Sequence, residues 1–175
     1  QEDVRVAELN IEQHERLIGD APDLVVWGEG ALDPDAAADP ETVAAVQDVV
    51  RSVGSPTIVG AVLNDPDHSQ HTSALLLDGS GQVVDRYDKV HLVPFGEYVP
   101  LRRFLDWIPA LDRVRYDYAA GNEPTRFRAD GHRFETVICF ESAFSSLTRG
   151  AARDGAELLV VSTNNRSYGR SGLSA

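Results

Sequence analysis

Apolar positions recur along this chain in two rhythms. Over residues 7–18 their spacing predicts a weakly amphipathic helix, and the run Leu24-Val25-Val26-Trp27, after Pro22-Asp23, predicts a short buried strand. Asp39, Pro40 and Glu41 then supply a helix N-cap, a proline suited to the first helical position and an early carboxylate. Val43, Val46, Val50 and Val53 follow at helical spacing. Strands are predicted over 57–62, 73–77 and 82–87, the last two joined through Asp78-Gly79-Ser80-Gly81, a hairpin signal. A second hairpin is predicted where 126–128 and 133–140 flank Ala129-Asp130-Gly131, and a helix over 145–153 and a strand over 158–161 complete the pattern.

One stretch fits neither rhythm. In His91-Leu92-Val93-Pro94-Phe95-Gly96-Glu97-Tyr98-Val99-Pro100 the two prolines exclude a continuous helix and disfavour a strand interior, which predicts a shaped loop carrying aromatic side chains and one carboxylate. A short helix over 101–107 follows. Strands alternating with helices, with hairpins among them, predict an α/β layered domain with mixed sheets, and 175 residues suit one domain over 1–175. No opening strand precedes the first helix and no element closes the pattern, so the domain is expected to be truncated at both ends or to carry loose tails.

Charge narrows the partners. The net charge of −12 argues against a phosphate-backbone ligand, so no nucleic acid is expected. No apolar run approaches the roughly 20 residues that span a bilayer, and no leader-like series opens the chain. The single cysteine, Cys139, excludes an internal disulfide and a cysteine-rich zinc site. Asp67-His68-Ser69-Gln70-His71 raises the thought of a metal pair but lacks a clear third ligand and reads as a solvated loop, so neither metal nor cofactor is expected.

Three polar residues lie just beyond predicted strands: Glu29, Lys89 and Cys139. Strand ends along one sheet edge converge, and α/β sheets bind ligands there. A thiol, a carboxylate and an amine suit acyl transfer, with the thiol attacking a carbonyl, the carboxylate moving the proton and the cation holding the oxyanion. Each residue also has a plainer reading. A lone cysteine serves as a small core residue, Glu29 between two glycines as a surface turn, Lys89 beside Asp88 as half of an exposed ion pair, and Glu97 and Glu141 as half-exposed glutamates.

The segment Tyr87-Asp88-Lys89-Val90-His91-Leu92-Val93-Pro94-Phe95-Gly96-Glu97-Tyr98-Val99-Pro100-Leu101 resembles the lysine-loop signature of bacterial apolipoprotein N-acyltransferases, a membrane-embedded branch of the nitrilase, or carbon-nitrogen hydrolase, superfamily. Val137-Ile138-Cys139-Phe140-Glu141-Ser142-Ala143-Phe144 is similar to that family's nucleophile segment, and Asp23-Leu24-Val25-Val26-Trp27-Gly28-Glu29-Gly30-Ala31 to its base segment. Ser162-Thr163-Asn164-Asn165-Arg166-Ser167-Tyr168 looks like the loop after the next strand, in a form associated with actinobacterial members. Gly28 stands where the family usually has proline, Phe140 where tyrosine is frequent, and residues 1–20 lack the family's early tryptophan.

The resemblance implies a nitrilase-like α-β-β-α sandwich. It implies Glu29 as general base, Lys89 as oxyanion stabiliser and Cys139 as nucleophile, aided by the backbone N–H of Phe140. Glu97 would orient Lys89 or the incoming amine, and Glu141 would support the nucleophile loop. Phe95, Tyr98 and Trp107, with Phe104, Leu105 and Ile108, would form a lipid-side rim, although 101–108 also reads as ordinary core helix. The implied partners are a phospholipid acyl donor, a diacylglyceryl-prolipoprotein acceptor and, through transmembrane segments absent from this chain, the bacterial cytoplasmic membrane with the domain on its extracytoplasmic face. Two alternatives use the same scaffold: a soluble amidase with water as acceptor, and a domain without turnover.

Overall fold

Two mixed sheets stack face to face and share one apolar seam. The computed structural model describes residues 2–105, 107, 111 and 117–164. The first sheet holds β1 (Val25–Val26), β2 (Thr57–Asn64), β3 (Gln70–Leu77) and β4 (Val83–Asp88) in that spatial order. β1 and β2 run parallel, and the β2–β3 and β3–β4 pairs are antiparallel. The second sheet places β6 (His132–Ile138) between β5 (Arg126–Ala129), its antiparallel partner, and β7 (Leu158–Ser162), its parallel one.

Side-chain alternation along the strands decides what fills each layer. Ile58, Ala74, Leu76 and Tyr87 of the first sheet meet Phe127, Phe134, Ile138 and Val160 of the second, with Phe127 and Phe134 edge to face at 5.8 Å. Val59, Ala61 and Leu77 point to the opposite face. There α1 (Glu2–Glu15), α2 (Pro34–Ala38) and α3 (Pro40–Val53) cover them with Ala7, Ala36, Val46, Val49 and Val50. The short α4 (Arg102–Leu105) lies in the connection between the sheets, and α5 (Ser145–Arg153) packs on β6, burying Leu147 and Ala151. The layers are therefore α-β-β-α.

The N-terminus of α3 follows its sequence signal: the Asp39 carboxylate accepts from the Thr42 N–H at 3.0 Å, and Gly54 closes the helix at φ +80°. Its buried stripe is Val46, Val49 and Val50 rather than the full Val43-to-Val53 series. Elsewhere the pattern misleads. β1 spans two residues, with Val26 exposed, because it is an outer strand; α1 begins earlier than residue 7; and α2, capped by Asp33, has no apolar period of its own. The β2–β3 hairpin is also unannounced, since its loop lacks glycine and is shaped by Asp67 accepting from Ser69 N–H. Nor is the His68–His71 loop wholly solvated. His71 lies in β3, mostly buried, with Nε2 3.5 Å from Asp65, and Arg86 grips that carboxylate with two N–H bonds.

Two contacts fix the turn after β1. Gly60 of β2 lies so close beneath it that a Cβ there would stand 2.1 Å from the Gly28 carbonyl oxygen and 2.9 Å from Glu29 Cα. Trp27 Nε1–H donates to His14 Nδ1 at 3.1 Å, which puts the imidazole proton of neutral His14 on Nε2. Burial lowers the His14 pKa below its ordinary value.

Gly60→Ala is expected to cost about 2 kcal/mol or more, because backbone rather than a movable side chain must yield; urea denaturation measures it. The lowered His14 value means that the unfolded chain takes up the proton first, so stability falls as pH drops through 6.5 toward the folded-state value. Melting temperature is expected to fall more between about pH 7.5 and about pH 5.5 for this chain than for His14→Gln.

Candidate active site

β1, β2 and β4 run in one direction, so their C-terminal ends lie at one end of the first sheet, and the C-terminal end of β6 meets them from the second sheet. Glu29 follows β1, Lys89 follows β4 and Cys139 follows β6. The convergence thus uses two facing sheets, whereas strand ends along a single sheet edge were the expectation. Since β1 and β4 are the outer strands of their sheet, Lys89 meets Glu29 above the two strands between them. Val62 of β2 and Thr72 of β3 line the same cavity, about 480 Å³ in volume, with Glu29, Lys89, Glu97, Tyr118, Cys139 and Asn164.

Lys89 is held at both ends. Its N–H donates to the Thr72 carbonyl at 2.9 Å, and its own carbonyl accepts from Gly121 N–H at 2.8 Å. Its Nζ donates to Glu97 Oε1 at 2.7 Å and lies 3.6 Å from Glu29 Oε1, with the side chain 1% exposed. Burial opposes the ammonium charge, but the bond to Glu97 and the negative charges of Glu97 and Glu29 outweigh it and raise the Lys89 pKa. Lys89 is no exposed half of a surface pair.

The proline-bounded loop aims Glu97. Phe95 N–H donates to the Tyr98 carbonyl at 2.7 Å and Glu97 N–H to the Val93 carbonyl at 2.9 Å, closing a turn in which Phe95 takes φ +62°. Glu97 Oε2 accepts from Val93 N–H at 2.8 Å, leaving Oε1 for Lys89. Glu29 Oε2 accepts from Asn164 N–H at 3.0 Å, so the loop after β7 holds one side of that carboxylate.

Cys139 opens the 3-10 turn Cys139–Ala143 at φ +52°, a left-handed conformation costing a non-glycine residue about 1–2 kcal/mol. Glu141, fully buried, braces this turn. Its Oε2 accepts from Ile138 N–H at 2.8 Å; its Oε1 accepts from Tyr87 Oη–H at 2.7 Å, Val90 N–H at 2.8 Å and His91 N–H at 3.0 Å. Burial, then the Glu141 charge, pushes the Tyr87 phenol pKa up, so Tyr87 remains a donor. One carboxylate thereby ties the end of β4 to the turn carrying Cys139, and the half-exposed reading of Glu141 is wrong.

Beside this cavity runs a second groove, about 670 Å³, walled by Val90, Leu92, Pro94 and Tyr98 and by the rings of Phe140 and Phe144, which meet edge to face at 5.2 Å. Phe95, Leu101, Phe104 and Trp107 are exposed, Trp107 at 78%, so the 101–107 segment is not a core helix. Among the described residues its regular part is Arg102–Leu105. Ile108, the Leu105 side chain and the stretch from Asn165 to Tyr168 lie outside the described residues. No group of three His, Cys, Asp or Glu side chains among the described residues could hold a metal ion. Tyr118 and the backbone role of Asn164 carry no signal in the sequence; both sit in irregular chain brought in by tertiary pairing.

The family profile described as carbon-nitrogen hydrolase matches residues 11–174. The chain belongs to the carbon-nitrogen hydrolase family. It is 34% identical over 152 residues, 85% of this chain, to a protein of Geobacter metallireducens named apolipoprotein N-acyltransferase, and 33% identical over 162 residues, 86% of this chain, to one of Sinorhizobium fredii with the same name. It spans 29% and 30% of those two relatives. An amidase from Nesterenkonia sp. superposes with a TM-score of 0.66 at 19% identity, covering 96% of this chain and 64% of that one. The glutamine-dependent NAD+ synthetase of Acinetobacter baumannii superposes at 0.64 and 18%, covering 93% and 30%. At such identities these likenesses establish the nitrilase fold of this carbon-nitrogen hydrolase chain and nothing finer.

Glu141→Gln keeps the shape but turns an amide donor toward N–H groups, and is expected to cost about 3 kcal/mol. Chemical denaturation at neutral pH checks it, with Glu141→Asp expected to lose stability as well because the shorter arm cannot reach both loops.

Proposed function

We propose that this chain is the catalytic domain of an apolipoprotein N-acyltransferase, moving an acyl chain from a phospholipid to the N-terminal amine of a diacylglyceryl-cysteine lipoprotein. The observation that carries this reading is the placement of Glu29, Lys89, Glu97 and Cys139 around one cavity, in a chain whose relatives bear that name.

In the first half-reaction Glu29 takes the Cys139 proton and Sγ attacks the ester carbonyl carbon. The oxyanion gathers its charge beside Lys89 and the Phe140 N–H. The ester C–O bond breaks, Glu29 returns the proton to the departing alkoxide, and lysophospholipid leaves an acyl-thioester. In the second, the lipoprotein α-amine attacks the thioester carbon, its proton passes to Glu29, the C–S bond breaks, and the proton goes back to sulfur. Glu97 positions Lys89 throughout, and Glu141 sets the distance between the lysine and cysteine loops.

Water is the competing acceptor, so apolar walls around the site favour transfer over hydrolysis. Phe95, Tyr98 and Trp107 face the lipid in this reading; the exposure of Phe95 and Trp107 suits an interfacial rim, and half-buried Tyr98 joins it to the groove wall. No helix among the described residues is long and apolar enough to cross a membrane. Attachment to the cytoplasmic membrane, with this domain on the extracytoplasmic face, falls to other parts of a longer protein. An amidase would use the same groups with water as acceptor, but the named relatives and the rim favour transfer.

Intact-mass measurement on the full-length protein after incubation with phospholipid is expected to show a hydroxylamine-labile gain of one acyl group. Cys139→Ala should abolish it, and a diacylglyceryl-cysteine peptide should discharge it to amide. No acyl gain with accessible lipid overturns the assignment.

A further inference from the structure

Two cavities meet at one side chain. The polar cavity holding Cys139 and the aromatic groove beside it share Tyr118, the residue common to both walls among the described residues. Its main chain is stitched in place on several sides: Tyr118 N–H donates to the Glu97 carbonyl, Ala119 N–H to the Gln70 carbonyl and Gly121 N–H to the Lys89 carbonyl, each at 2.8 Å. The preceding Asp117 carboxylate accepts from Val99 N–H at 2.8 Å and from the Arg102 guanidinium. The main chain that carries the half-buried ring is therefore fixed relative to the lysine and Glu97 loops.

Its hydroxyl is a spare donor. Burial and then the charges of Glu97 and Glu29 raise the phenol pKa, so the proton stays on oxygen, and among the described residues that oxygen has no protein hydrogen-bond partner. A protonated donor on a residue that lines both cavities is a place for an acceptor atom of the substrate, because a site built to pair such an atom discriminates strongly against molecules that place it elsewhere. A molecule with an apolar chain in the Phe140–Phe144 groove and an ester over Cys139 must change from apolar to polar at the seam where Tyr118 stands.

We propose that Tyr118 is a specificity-determining residue, its hydroxyl donating a hydrogen bond to the neighbouring, non-reacting ester of a long-chain diacyl-glycerol donor whose reacting chain lies in the aromatic groove, and so fixing which carbonyl stands over Cys139. This rests on the acyl-transfer reading above. It assigns the groove to the acyl chain and leaves oxyanion stabilisation to Lys89.

The test compares the full-length protein with Tyr118→Phe, which keeps the ring and loses the hydroxyl, in detergent micelles. Acyl-enzyme formation is followed by mass with a long-chain phospholipid and with a short-chain water-soluble ester; alkylation of Cys139 by iodoacetamide and melting temperature serve as controls. The expected result is a fall of about tenfold in kcat/KM for the long-chain donor and less than about twofold for the short ester, with alkylation and melting unchanged. Equal losses on both donors would place the hydroxyl in the general chemistry at Cys139, lowered alkylation or melting would make it structural, and no change would leave it idle; each overturns the proposal while the acyl-transfer reading stands. Failure of the unsubstituted protein to acylate from phospholipid overturns that reading and this proposal with it.

Discussion

A carboxylate taken out of water costs several kcal/mol unless donors replace its hydration, and the fully buried Glu141 collects four of them. Three come from the end of β4 and the residues after it, the fourth from the last residue of β6. The seam between the sheets is otherwise mainly apolar, and apolar contacts fix spacing but slide with little directional penalty; isolated bonds such as Ser162 Oγ–H to the Trp27 carbonyl at 3.4 Å lie toward its edges. The Glu141 bonds are directional. They set the registry between Lys89 and Cys139 and hold the positive-φ turn on which Cys139 sits.

Around that registry the charges are arranged with unequal freedom. Lys89 has lost its water and sits against Glu97, while Glu29 stands slightly farther away and is tied to the loop after β7. In the proposed mechanism the closer carboxylate neutralises the ammonium at rest and the more distant one exchanges a proton with sulfur, a division that the distances of 2.7 Å and 3.6 Å support.

Much of this arrangement can be read from residue order. The Asp39-Pro40-Glu41 cap, the Asp78-Gly79-Ser80-Gly81 hairpin and the α5 limits are local features, and local chemistry decides them. Glu29, Lys89 and Cys139 stand out because each is a chemically unusual residue just past an apolar run, and Pro94 and Pro100 mark the loop that carries Glu97. What escapes is set by partners distant in sequence. β1 lies at the edge of its sheet among the described residues, His71 sits mostly buried beside the Asp65 carboxylate that Arg86 grips, and Tyr118 enters the site because the residues after Asp117 pair with Lys89 and Gln70. The two-sheet origin of the site is of the same kind, since nothing within β4 or β6 states which sheet it joins.

The placement of Glu29 and Lys89 on the outermost strands of one sheet has a mechanical side. Their side chains reach toward each other across the two strands between, so the 3.6 Å gap between their charges acts as a caliper on the spacing and twist of β2 and β3 beneath. Anything that spreads or shears those strands moves ammonium and carboxylate apart without touching either, which makes the rigidity of an ordinary four-stranded sheet part of the electrical tuning of the thiol beside it.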